Sequence, residues 1–165
     1  MMRWGLVPSW AKDLKIGNRL INARCETVAE KPSFRAAFKR RRCLVVADGF
    51  YEWKSEGKQK QPYLIHREDN QPFAFAGLWE ERKGMESFTI ITTEANELMR
   101  PLHDRMPVIL EPQDYDLWMD TAVQEADEVQ PLLCPYLGED LEVIPVNPIV
   151  NNVRNDVPEC VERVG

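Results

Sequence analysis

The sequence predicts an α+β fold: a mostly antiparallel, barrel-like sheet with short peripheral helices. Two observations carry this. Short apolar runs recur along the chain, each bounded by Gly, Pro, Asn or charged turn residues, which is the pattern of short strands. The helical patterns between them are brief and irregularly placed, so the strand–helix alternation of a doubly wound sheet is missing.

Taken in order, Pro32 to Arg40 reads as a short helix, because Ser33, Phe34, Ala37 and Phe38 give one partly apolar face. Lys39 to Arg42 follow at its C-terminal end. They are expected to complement the helix dipole and face solvent, with a phosphate-facing patch as the alternative. Cys43 to Asp48 reads as a buried strand, and Gly49 allows a bend before a strand over Phe50 to Lys54. Ser55-Glu56-Gly57-Lys58 reads as a turn and Pro62 to Arg67 as the return strand of a hairpin. Phe73 to Glu80 and Phe88 to Thr93 are strands separated by an Arg82-Lys83-Gly84 turn. Ala95 to Leu102 reads as a short helix and Met106 to Leu110 as a strand. Pro112 suits the first position of a helix reaching about Met119. Ala126 to Leu133 is a further helix stopped by Pro135, and Leu141 to Val146 a late strand. The tail from Asn147 is polar and rich in Asn and Pro.

A length of 165 residues fits a single domain over residues 1–165, large enough to bury a core without staples. No apolar run approaches the ~20 residues that cross a bilayer, and the N-terminus has no signal-peptide core, so a cytoplasmic, membrane-free protein is expected. The four cysteines, Cys25, Cys43, Cys134 and Cys160, are irregularly spaced, and only His66 and His103 accompany them. Neither a zinc site nor any cofactor is expected from that set, and the thiols are expected to be reduced. A net charge of -6 argues against sequence-blind binding of duplex DNA through bulk charge. A nucleic-acid function must therefore rest on a local site.

Four local sequences stand out: Trp4-Gly5-Leu6-Val7-Pro8-Ser9-Trp10, Ile21-Asn22-Ala23-Arg24-Cys25-Glu26-Thr27, Ala47-Asp48-Gly49-Phe50-Tyr51-Glu52-Trp53, and His103-Asp104-Arg105-Met106-Pro107. Alternation puts Asn22 and Arg24 on one face of an extended segment, where Arg24 either holds a phosphate or forms an ion pair with an acid such as Glu26. Glu52, between two aromatics, is either a partly desolvated general acid or base, or a surface residue. His103 sits at an element junction that suits proton transfer, with Asp104 either orienting it or pairing with Arg105; the alternative is a purely structural histidine. Trp4, Trp10 and Trp53 offer rings on which bases stack, although core packing is the common fate of tryptophan, and at least one is expected to be core.

Together, in this order, these motifs resemble those of the SOS-response-associated peptidase (SRAP) family, as does Lys60-Gln61-Pro62-Tyr63. The resemblance runs from Trp4 to about Asn155. It implies a sensor of abasic sites in single-stranded DNA with self-processing, peptidase-type activity in the DNA damage (SOS) response; a monomer is expected. By the same resemblance, the α-amine of an N-terminal cysteine condenses with the open sugar aldehyde and the thiol closes a thiazolidine crosslink. An α-amine with a pKa near ~8 is partly neutral and nucleophilic at pH 7. Carried over by motif, Asn22, Glu52 and His103 are the catalytic set: Asn22 positions the N-terminal residue, Glu52 is general acid/base, and His103 assists the Schiff base. Arg24 and Arg105 hold phosphates, and Trp10 and Trp53 shape the strand-binding groove.

One departure accompanies the resemblance. Family members begin Met-Cys-Gly-Arg and run several dozen residues before W-G-x-x-P, whereas position 2 here is Met. The expectation is that the natural start lies upstream; the alternative is a truncated gene. Two other functions stay open at this stage. One is a non-covalent single-strand binder. The other is a cysteine hydrolase using Cys25 with His103.

Overall fold

A computed structural model describes residues 1–57 and 59–165. The chain forms two compact units: Met1–Val46 with Ala74–Glu94 and Met106–Tyr136, and Ala47–Phe73 with Ala95–Arg105 and Leu137–Gly165. Among the described residues no helix is long and apolar enough to cross a membrane.

The first unit is built on a seven-stranded sheet. Its strands are β1 (Arg3–Trp4), β2 (Asn22–Arg24), β3 (Arg42–Ala47), β6 (Phe73–Arg82), β7 (Met85–Glu94), β8 (Arg105–Pro107) and β9 (Ile109–Leu110). The order is β1-β7-β6-β3, with β2 and β8 also against β7 and β9 against β6. The β6–β7 and β6–β9 pairs are antiparallel, as the apolar runs lead one to expect, whereas β1 and β2 run parallel to β7. One side of this sheet is covered by helices α1 (Arg35–Arg40), α2 (Tyr115–Met119) and α3 (Ala126–Val129), whose apolar residues join the core with Ala76, Leu78 and Ile91. Trp118 and Phe38 are fully buried there, their ring centroids 6.1 Å apart. Burial on this scale contributes roughly 1.5–3 kcal/mol per large apolar side chain.

The Trp-Gly entry is fixed by close backbone approach. Gly5 has φ +109°, and a Cβ there would lie 2.5 Å from the Gly17 carbonyl oxygen. That oxygen belongs to a 3-10 turn over Leu14–Arg19, capped by Asp13, whose Oδ1 accepts the Lys15 N–H at 2.9 Å. Only glycine combines that φ with that approach.

The second unit holds a three-stranded antiparallel sheet of order β10-β5-β4, from β4 (Gly49–Glu56), β5 (Gln59–Arg67) and β10 (Leu141–Pro145). The sheets are open; in the pairings described neither closes into a barrel. The expected turn at 55–58 is tighter than the sequence suggests. β4 runs through Glu56, Gly57 turns at φ +63°, and Lys58 lies outside the described residues.

Four expectations change. Lys39–Arg42 do not all face solvent. Arg42 is 5% exposed. Its Nε donates to the Trp118 carbonyl at 2.6 Å and its terminal nitrogens to the carbonyls of Phe38, Asp120 and Val123. Arg41 pairs with the buried Glu80. The Ala95–Leu102 helix is instead a series of turns. Asn96 Oδ1 accepts the Met99 N–H at 2.9 Å, and Pro101 has no N–H to continue a ladder. The Ala126–Leu133 helix stops at Val129 and tightens into a 3-10 turn, because Pro131 lacks an N–H. The Met106–Leu110 strand splits at Val108, whose N–H donates to Ile91 and whose carbonyl accepts from Ala76.

Candidate functional site

In the β4–β5 hairpin Glu52 stands opposite Tyr63 and Trp53 opposite Pro62. The Pro62 carbonyl is turned to the Val146 N–H, 3.1 Å away on the β10 side. The Trp53 N–H therefore points away from β5, toward the free edge of β4. There it donates to Glu52 Oε1 at 3.2 Å. The half-buried Glu52 carboxylate is thus held at the strand edge by its neighbour's amide.

The Trp53 indole projects beside it. Its Nε1–H donates to Asn151 Oδ1 at 2.7 Å, and its ring lies tilted against Tyr51 at 6.2 Å between centroids. Asn151 ends a 3-10 turn over Pro148–Asn151, which Asn147 caps by accepting the Ile149 N–H at 3.0 Å.

His103 closes the series of turns that begins at Ala95. Its N–H donates to the Met99 carbonyl at 3.0 Å, and the Ala95 N–H donates to the Asp104 carbonyl at 3.0 Å. The imidazole Nδ1 accepts the Arg105 N–H at 3.0 Å and lies 3.1 Å from Asp104 Oδ1. These two contacts call for different protonation states. The amide bond needs a neutral ring with its proton on Nε2, whereas pairing with Asp104 needs a proton on Nδ1.

Glu52, Trp53, Lys60, His103 and Asn151 line one cavity of about 480 Å³ within the second unit. Three of the sequence candidates, Glu52, Trp53 and His103, are thus brought together. Lys60 and Asn151 were missed as site residues. Lys60 lies in the Lys-Gln-Pro-Tyr match but has no chemistry of its own until the hairpin register is known. Asn151 falls in the polar tail, which carries no periodicity. Arg105 belongs to the same unit, with its amide on His103.

Asn22, Arg24 and Trp10 belong to the first unit. Pairing of Asn22 with Ile90 and Arg24 with Thr92 leaves Ala23 buried and turns both polar side chains outward, as alternation predicts. Trp10 is 59% exposed. Trp4 donates its Nε1–H to the Ile21 carbonyl and stacks on Phe88, yet remains exposed. None of Trp4, Trp10 and Trp53 is buried, contrary to the expectation that one is core; the fully buried tryptophan is Trp118.

Three of the four thiols are poorly suited to nucleophilic attack, and Cys134 is exposed. Burial pushes the half-buried Cys43 thiol up to about 11, and Cys25 and Cys160 are buried. Among the described residues no His, Cys, Asp and Glu cluster is arranged to hold a metal ion.

The profile of the family described as "SOS response associated peptidase (SRAP)" matches residues 1–153. The abasic site processing protein YoqW of Bacillus subtilis is 47% identical, over 98% of this chain and 75% of its own length. The abasic site processing protein HMCES of Gallus gallus is 38% identical over 96% of this chain and 55% of its own. A crystal structure of a protein from Bacteroides thetaiotaomicron superposes with a TM-score of 0.90 at 33% identity, covering 99% of this chain and 75% of that one.

Proposed function

Because this chain belongs to the SOS response associated peptidase family, we propose that it processes abasic sites in DNA. The observation that carries this reading is the cavity in which Glu52, His103 and Lys60 meet beside the exposed edge of Trp53. An abasic sugar offers an aldehyde masked as a cyclic hemiacetal. Opening the ring requires a proton on the ring oxygen and removal of one from the anomeric hydroxyl. A carboxylate and an imidazole in one cavity supply that pair of transfers.

The substrate is single-stranded DNA, whose unpaired lesion reaches the cavity without base-pair opening. Glu52 is the general acid/base. His103 moves the proton in Schiff-base formation and reversal, alternating between the Arg105 amide and Asp104. Asn22 positions the attacking N-terminal residue, Arg24 and Arg105 hold phosphates beside the lesion, and Trp10 and Trp53 support neighbouring bases. In the covalent step an α-amine adds to the aldehyde carbon and water leaves to give the imine. A thiol then adds to the same carbon while its proton passes to nitrogen, closing the thiazolidine. The self-processing activity expected of the family is peptidase-type, and the protein acts as a monomer and a single domain.

The test is a denaturing gel of the protein with a single-stranded oligonucleotide bearing one abasic site. This chain is run beside a form extended upstream to a Met-Cys start. A denaturant-resistant band with the extended form, lost in its Glu52→Gln variant, supports the reading. Binding on a native gel with no resistant band in either form identifies a non-covalent binder instead. No binding by either overturns the assignment.

A further inference from the structure

The basic face of helix α1 is untouched by the reaction just described. Six of the twelve residues from Lys31 to Arg42 are Lys or Arg and none is acidic, in a chain whose net charge is -6. Two of the six serve the fold: Arg42 is buried on main-chain carbonyls, and Arg41 pairs with Glu80. The other four, Lys31, Arg35, Lys39 and Arg40, are exposed and, among the described residues, make no ion pair or side-chain hydrogen bond. The Arg35 N–H donates to the Lys31 carbonyl at 2.9 Å, so Lys31, Arg35 and Lys39 follow one another along one stripe at four-residue spacing. Like charges so spaced repel and weaken a helix. Among the described residues no carboxylate pairs with these four cations, and only the helix dipole favours Lys39 and Arg40. Acids placed along this stripe would relieve the repulsion.

The stripe borders a cavity. Ala29, Arg35, Ala36, Lys39, Arg40 and Arg41 line an open groove of about 520 Å³. Its charged lining residues are all cationic, and the remaining two are alanines. A groove lined by several guanidinium and ammonium groups without ion pairs fits a chain of phosphates joined by sugars. It suits neither a neutral small molecule nor an acidic partner that needs an apolar anchor.

We propose that this groove on α1, walled by Arg35, Lys39, Arg40 and Arg41, is a docking surface for the phosphate backbone of a nucleic-acid strand. It binds sequence and damage alike without discrimination, and it adds reach to a protein whose bulk charge repels DNA. The inference rests on the reading of the chain as acting on DNA, but it concerns different residues and a different observable.

The experiment is fluorescence anisotropy of an undamaged, labelled single-stranded oligonucleotide over a range of salt concentrations, with the full chain and its R35Q/K39Q/R40Q variant. Each phosphate contact on a single strand contributes about 0.7 to the slope of log K against log salt, so losing three lowers the slope by about 2 and the affinity by roughly 100-fold near ~0.1 M salt. A thermal melt of the variant is expected to match or exceed that of the parent, since three repelling charges are gone. An unchanged slope in the triple variant overturns the docking surface, even if abasic DNA is processed normally. A lowered slope with no processing by any form leaves the surface standing and removes the assignment of the Glu52 cavity.

Discussion

The Trp53 indole and the Asn151 side chain, 98 residues apart in sequence, meet in a 2.7 Å hydrogen bond. This bond ties the C-terminal 3-10 turn to the hairpin edge where Glu52 sits, and it fixes the rotation of the indole at the cavity wall.

Asn151→Ala removes the acceptor while Trp53 keeps its packing against Tyr51. The bond is exposed, so the expected loss is about 0.5–1 kcal/mol in a chemical denaturation curve. Trp53 becomes mobile, and its contribution to fluorescence anisotropy falls. A loss above about 3 kcal/mol would show that the bond holds the unit together and does more than orient one ring.

Glu52→Gln keeps the shape of the side chain, and its amide oxygen still accepts the Trp53 N–H. Stability is expected to change by less than about 0.5 kcal/mol. The rate of abasic-site processing is expected to fall by between about 100-fold and about 10,000-fold in single-turnover assays, the range for removing a general acid/base. An unchanged rate removes Glu52 from the chemistry.

Arg42→Met is expected to be among the most damaging substitutions. It leaves the carbonyls of Phe38, Trp118, Asp120 and Val123 without their shared donor. Buried unsatisfied groups cost about 1–3 kcal/mol each, so a loss of at least about 3 kcal/mol is expected by urea unfolding. Arg42→Lys recovers little, because an ammonium cannot span four acceptors in a plane.

Alkaline pH is expected to weaken the fold through Cys43. Burial raises its folded-state value to about 11 from the ordinary 9.0, so the folded protein holds the thiol proton more tightly than the unfolded chain does. That contribution is complete below about pH 9 and is lost as pH rises toward 11, by an amount of roughly 2–3 kcal/mol at most. Tyr51, raised by burial and then by Cys160 and Asp48, acts in the same direction. Melting temperatures measured from pH 7 to 11 check this, with Cys43→Ala expected to flatten the curve. In the native protein at pH 8 the exposed Cys134 is expected to be alkylated first, as read by mass spectrometry.

What the sequence carries and what it hides divide along physical lines. Strands β4 to β7 were legible because each is long enough for its apolar pattern to exceed noise, and Gly49 and Gly57 mark their bends. Strand β1 was not, since two residues have no period, and β2 was legible only as an extended segment; β7 offers both a parallel edge. The helices were read too long wherever a proline inside the apolar pattern removed an N–H, at Pro101 and at Pro131. At the site, Glu52 and His103 stood out by chemical type, and the outward direction of Asn22 and Arg24 followed from alternation. Lys60 and Asn151 could not be found the same way, because their places depend on a hairpin register and on a hydrogen bond to a residue 98 positions away. Arg42 looked like its cationic neighbours until four carbonyls from separate segments converged on it.

Each of the two units is assembled from three separated stretches of chain. The core of the first needs Leu133, and the sheet of the second needs β10, the last of the described strands in sequence. During synthesis, therefore, no early portion can settle into a finished body. Synthesis must run past Leu133 before the first core can close and past β10 before the sheet of the second is complete. Such a molecule should fold slowly for its size and depend on chaperones while nascent. No contiguous fragment of it can be cut out and expected to stand alone.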